Sequence, residues 1–141
     1  MKESFRQQFE RVDIVVSCAG VYIRSAVRDL TMDTIRRCMD VNYYGTVHLI
    51  RAVLAVMLAQ RSGHIVAISS VDGKKGLPPD AAYVASKFAV TGFMDVLRQE
   101  LRGTGVFAST IFPERVDTPM IKTLKLSPLS RRVPPAQVAR V

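Results

Sequence analysis

The sequence contains no tryptophan, and it has only two cysteines and two histidines in 141 residues. Two cysteines, Cys18 and Cys38, are too few for a disulfide framework, so a reducing, cytoplasmic setting is the expectation. His48 and His64 have no Cys, His or carboxylate at ligand spacing, so no metal centre is expected. Long apolar runs are also missing. The longest, around residues 53–59 and 65–68, fall short of the roughly 20 residues that cross a bilayer. The first 25 residues contain no secretory apolar segment followed by a small-residue cleavage site. Nowhere is there a Gly-x-Gly-x-x-Gly turn or a phosphate loop.

What is present suits one globular domain: 48% hydrophobic and 23% charged residues, with eight Gly and seven Pro. That is too apolar for a disordered chain, and the length is enough to bury a core. Basic residues outnumber acidic ones 20 to 12, a net charge of +8. The excess gathers late, because Lys122, Lys125, Arg131, Arg132 and Arg140 follow Asp117 with no further acid. No aromatic ladder or Cys/His finger accompanies it. The tail therefore reads as a solvated basic segment, and nucleic acid is not an expected partner.

Periodicity gives the elements. Residues 2–11 read as the end of an amphipathic helix, with Phe5 and Phe9 on one face. Val12–Ser17 is a short β-branched run and thus a buried strand. Thr31 is placed to cap a helix start. Val41–Gln60 reads as a separate long helix with Val47, Ile50, Leu54, Met57 and Leu58 inward, ended by Ser62-Gly63. His64–Ser70 is a second strand, and the Gly- and Pro-containing stretch 71–80 is loop. Asp80–Arg102 is a second long helix, with Ala85, Phe88, Ala89, Gly92, Phe93, Val96 and Leu97 on its apolar side. Val106–Phe112 is a third strand, stopped by Pro113. Apolar strands alternating with helices predict an α/β fold with a parallel sheet covered on both faces. Only one βαβαβ half of a doubly wound domain is visible, so the expectation is a single, partial Rossmann-like domain over residues 1–141.

Tyr83 and Lys87 lie four residues apart at the start of the second long helix, hence on one face. An ammonium beside a phenol favours the phenolate, which moves a tyrosine toward acid/base work. Ser70 ends a strand, and strand ends of open parallel sheets face the ligand crevice. Asn42, near a helix start, offers an amide behind the lysine. Taken singly, each has an ordinary reading: a surface pair, a strand-end cap, a helix cap. Their order along the chain is what makes the set specific.

In that order the chain resembles the short-chain dehydrogenase/reductase family from about residue 10 to residue 120. The resemblance rests on Ser17-Cys18-Ala19-Gly20, Asp40-Val41-Asn42, the segment 63–70, Tyr83-Val-Ala-Ser-Lys87 and the segment 113–118. It implies an oxidoreductase that moves a hydride between NAD or NADP and an alcohol or ketone. Tyr83 would be the proton donor or acceptor, and Lys87 would lower its pKa and hold the nicotinamide ribose. Ser70 would bind the substrate oxygen, and Asn42 would fix the water that links Lys87 to solvent. Ala19 and Gly20 would let the backbone approach the cofactor, while Pro113, Val116 and Thr118 would meet its carboxamide end. A homodimer or homotetramer through the two long helices is implied as well. Residues 1–120 would form the catalytic half and 121–141 the start of a basic flap over the substrate.

Three departures qualify the resemblance. The family's Gly-rich turn is absent, so the chain is expected to be a fragment without the pyrophosphate half-site, and the choice between NAD and NADP is open. Ser17-Cys18 stands where the family has two asparagines, with Cys18 expected as a small buried filler. Glu114 replaces a glycine, which is awkward if that position needs positive φ. The competing expectation is a non-catalytic, truncated chain that acts as a binding or oligomerising module.

Overall fold

The computed structural model describes residues 10–121 and 132–140. In chain order these form β1 (Ile14–Ser17), α1 (Met32–Cys38), α2 (Gly45–Gln60), β2 (Gly63–Ile68), α3 (Ala81–Glu100), β3 (Val106–Ile111) and a short α4 (Pro135–Val138). The expected helix over 2–11 lies almost wholly outside the described residues. Lys122, Lys125 and Arg131 lie outside them entirely.

The three strands form one parallel sheet in the order β1-β2-β3. Each falls on the stretch its composition marks: β1 starts two residues later than expected, β2 starts one residue earlier and stops two earlier, and β3 stops one earlier. In register, Val15, Ile65 and Ala108 point to one face and Ile14, His64 and Phe107 to the other. The first face carries the core. Ile65, Ala67, Val106 and Ala108 pack against Ile50, Val53 and Met57 of α2 and Val90, Met94 and Leu97 of α3. Each such side chain taken from water contributes about 1.5–3 kcal/mol.

Among the described residues the opposite face is not covered, contrary to the two-sided expectation. Ile14, Val16 and Phe107 are 66%, 52% and 68% exposed. The reason is topological. The strand order advances in one direction across the sheet, so two crossovers of the same hand place α2 and α3 on the same side.

Thr31 does cap α1, its hydroxyl accepting from the Thr34 amide at 3.2 Å. The helix then does not stop: a π-helical turn at Met39–Tyr44 joins α1 to α2. The separate start expected at Val41 is therefore absent, and Asn42 sits inside a helix rather than at its cap. The continuous helix Met32–Gln60 is long and apolar enough to qualify as a candidate membrane span. Its Ile50, Val53 and Met57 are nonetheless buried against the sheet, the usual use of a core helix. On α3 the apolar side expected from the sequence is mostly outward. Ala85, Phe88, Gly92 and Val96 are exposed, whereas Ala82, Tyr83, Ser86, Lys87, Val90, Met94 and Leu97 are buried.

Candidate functional site

All three strands end at the same edge of the sheet, and the loops leaving them meet the start of α3 there. β1 delivers Ser17 and then Cys18-Ala19-Gly20. β2 delivers Ser69 and Ser70, with Ser69 N still paired to Ile111 O at 2.9 Å. β3 delivers Pro113, whose carbonyl accepts from Val71 N at 3.1 Å. The first turns of α3 place Tyr83 and Lys87 over this edge.

Lys87 is buried, and Nζ donates to the Ile68 carbonyl at 2.9 Å, 5.7 Å from the Tyr83 ring centroid. Burial pushes the ammonium down to about 8, with nearby Cys18 acting in the opposite direction. Tyr83 is buried as well, and its pKa is pushed up to about 12. Loss of solvent is the main cause; the Ser70 hydroxyl favours ionisation, and Asp72, Asp80 and Cys38 oppose it. This direction differs from the one the Tyr83–Lys87 spacing suggests. The lysine's hydrogen bond goes to the end of β2, and removal of water from the phenol outweighs other effects.

Asn42, at 1% exposure, acts as a clamp. Its Oδ1 accepts from Val21 N at 2.7 Å, and its Nδ2 donates to Val21 O at 3.0 Å and to Ser86 Oγ at 2.9 Å. Ser86 Oγ in turn donates to the Tyr83 carbonyl at 2.7 Å. One amide thus ties the loop after β1 to α3, and it does so from a π turn, an element common at functional sites. Gly20 lies inside this clamp. A Cβ there would come to 3.3 Å from Asn42 Oδ1 and 3.8 Å from Lys87 Nζ. Glycine therefore keeps a narrow space open beside the lysine.

Other expected positions fall around the rim. Ser70 Oγ accepts from the Asp72 amide at 3.1 Å and caps the short turn Val71–Gly73. Ala19 is exposed. Val116 forms an isolated bridge with Val133, and Thr118 O accepts from Ile121 N at 3.2 Å. Cys18 is exposed and not the buried filler expected, because it follows the last strand residue and leaves the sheet. Glu114 is exposed, and among the described non-glycine residues only Arg61 has positive φ, so glutamate meets no backbone conflict there.

Three further side chains had no signal in the sequence pattern. Tyr22 stands edge-on to Tyr83, with centroids 4.7 Å apart and planes at 82°. Its hydroxyl donates to Asp80 Oδ2 at 2.8 Å, and Arg24 Nε donates to Asp80 Oδ1 at 3.0 Å. Only the position of Asp80, three residues before Tyr83, hints at proximity.

A parallel α/β sheet with a Tyr/Lys/Ser constellation at its carboxyl edge is the arrangement of an open, doubly wound nucleotide-binding domain. The chain belongs to the short chain dehydrogenase family, whose model matches residues 1–128. It is 41% identical to rat dehydrogenase/reductase SDR family member 7B over 112 residues, 79% of this chain and 34% of the relative. It is 37% identical to bovine 3-ketodihydrosphingosine reductase over 123 residues, 86% of this chain and 37% of that protein. Among solved structures, the 3-oxoacyl-[acyl-carrier protein] reductase of Brucella melitensis superposes with a TM-score of 0.82 at 35% identity, covering 91% of this chain and 53% of that one. A gluconate 5-dehydrogenase from Burkholderia cenocepacia, solved with NADP and tartrate, gives 0.82 at 27% identity, covering 87% of this chain and 48% of that one. The chain thus spans about a third of the length of the curated relatives it matches.

Proposed function

We propose that the protein is an NAD(P)-dependent oxidoreductase that interconverts an alcohol and a ketone, with Tyr83 as the proton donor or acceptor. The observation that carries this is that the Ser70 hydroxyl meets Tyr83 at the carboxyl edge of the sheet, with the Lys87 ammonium on the next turn of α3 and only 3.8 Å from where a Cβ on Gly20 would stand. The residues fit a nicotinamide cofactor, because Gly20 leaves room beside a buried ammonium. When bound, that cofactor supplies or accepts the hydride. Ser70 holds the substrate oxygen next to the Tyr83 hydroxyl. Tyr83 gives its proton to that oxygen as charge develops there, or takes it in the reverse direction. Lys87, anchored by the Ile68 carbonyl, presents a positive charge and donors toward the ribose. Asn42 keeps the loop at Gly20 and Val21 in place. The segment 73–82 and the residues after Thr118 form the substrate side, as loops on a rigid scaffold commonly do. We propose a reducing, cytoplasmic setting for this chain, in line with Cys18 and Cys38 both being free.

A second reading, a non-catalytic module that binds or oligomerises, is favoured by the bare sheet face of Ile14, Val16 and Phe107. Tyr83→Phe in the complete polypeptide separates the two. In the first reading NAD(P)H-linked turnover over a panel of ketones falls by about 100-fold or more. Calorimetric affinity for NADH and NADPH stays within a few-fold. Unchanged turnover removes Tyr83 from the mechanism, and no turnover in the parent favours the module.

A further inference from the structure

An aspartate just before a helix ordinarily turns its carboxylate onto the helix's free amides. Asp80 precedes α3 yet makes no such bond. Its carboxylate faces the loop after β1, where it accepts from Tyr22 and Arg24. The side chain of Asp80 is only 7% exposed, while that of Arg24 keeps 41%. A carboxylate withdrawn from water requires such partners, and giving up a cap to bury one beside a proposed proton donor needs a reason. The backbone reinforces the placement: Ser25 N donates to Pro79 O at 3.0 Å, and Asn42 fixes Val21 from the other side. A continuous line of contacts, Arg24–Asp80–Tyr22–Tyr83, therefore reaches the phenol ring from the surface.

We propose that Asp80 is a positioning residue of this site: through Tyr22 it fixes the ring of Tyr83, and its carboxylate beside that contact acts on how readily the phenol gives up its proton. The proposal rests on the oxidoreductase reading above and adds a positioning residue to it. The other groups facing Tyr83 are Ser70 and Asp72 from the loop after β2, Cys38 from α1, and Lys87 on its own helix. Lys75 and Arg115 face Asp72 and temper its charge. Asp72 Oδ1 is buried without a hydrogen-bond partner among the described residues, so a second carboxylate adds to the same field. Of the two, Asp80 alone is tied to Tyr83 by a mechanical contact.

The test is a pH jump on the complete polypeptide, with tyrosinate absorbance read before the fold is lost and Tyr83 assigned by difference against Tyr83→Phe. In Asp80→Asn the Tyr83 midpoint moves down by about one pH unit, as for loss of a nearby like charge. Asp80→Glu restores it. The alkaline fall of NADPH-dependent reduction of 9,10-phenanthrenequinone moves down with it. An unchanged midpoint in folded Asp80→Asn overturns the proposal. Should that variant fail to fold, Arg24→Gln, on the exposed side of the pair, leaves the Asp80 charge unopposed and raises the midpoint; a fall or no change overturns the proposal. The absorbance needs neither substrate nor cofactor. A shifted midpoint in a protein that reduces no carbonyl probe therefore overturns the oxidoreductase reading and supports the Asp80–Tyr22–Tyr83 contact. An unchanged midpoint in an active reductase overturns the role of Asp80 alone.

Discussion

Lys87 shows how burial and function oppose each other in one residue. Its ammonium, at about 8, is well below the ordinary lysine value because the protein removes it from water and returns one carbonyl, that of Ile68. Below pH 8 both folded and unfolded chains carry the proton, and the folded state bears the whole cost of an ill-solvated charge. Between about pH 8 and 10 the unfolded chain retains a proton that the folded chain has lost, so this residue makes stability rise with pH. Tyr83 acts with the opposite sign and at higher pH. Its proton is held to about 12 in the fold, so its contribution is present below pH 10 and is lost between about 10 and 12. Lys87→Met should therefore melt above the parent at pH 7, by on the order of 1 kcal/mol after allowing for the orphaned Ile68 carbonyl. That advantage should shrink from pH 8 to 10 in parallel denaturation curves. An advantage constant with pH would assign the effect to packing. The proposed catalytic residues were legible because Tyr83 and Lys87 stand four apart on one helix and Ser70 closes an apolar strand run. Tyr22 and Asp80 were not, because 58 residues separate them and no local pattern joins them.

At the scale of elements, strands were easier to read than helix faces. The β-branched runs at Val12–Ser17, His64–Ser70 and Val106–Phe112 each mark one strand, because their shortness, β-branched content and flanking Gly or Pro favour strand over helix. On α3 the same logic chose the wrong side. The helix is apolar around much of its circumference, and its buried side includes Tyr83, Ser86 and Lys87, polar residues turned inward to make the site. A polar residue buried for function reads, in sequence, as a surface residue. The join between α1 and α2 escaped for a related reason: a π turn inserts one residue and shifts the phase of the pattern on either side. The connection into β3 is more strictly determined. Gly105 has φ +85°, and a Cβ there would collide with the Arg61 carbonyl at the end of α2. Gly105→Ala should cost about 2 kcal/mol or more in urea unfolding, through backbone strain and displacement of Arg61 together. A loss below about 0.5 kcal/mol would mean that this turn relaxes freely.

On the scale of the molecule, two apolar surfaces stand out among the described residues, and they differ in kind. The bare sheet face presents Ile14, Val16 and Phe107 on strands held rigidly in register. The outward side of α3 presents Ala85, Phe88, Gly92 and Val96 along one helix. Beside it, Ala26, Val27, Leu77, Pro78, Pro79 and Phe88 line a groove of about 610 Å³. Small residues alternating with Phe88 and Val96 give a helix surface that another helix can approach closely, as in ridge-and-groove packing. A contiguous apolar area of this kind on a folded chain commonly marks an interface. We propose self-association through α3, against the sheet-face contact of the second reading above. Phe88→Glu should lower the mass of the complete protein in light scattering toward that of a monomer, since a carboxylate buried in such a contact lacks a partner. Phe107→Ser should leave the mass unchanged and reduce hydrophobic-dye binding by this 141-residue chain. The reverse pattern, with mass lost in Phe107→Ser and kept in Phe88→Glu, would move the interface from the helix to the sheet. The α3 stripe would then be ordinary surface, since scattered exposed apolar residues are common on folded chains.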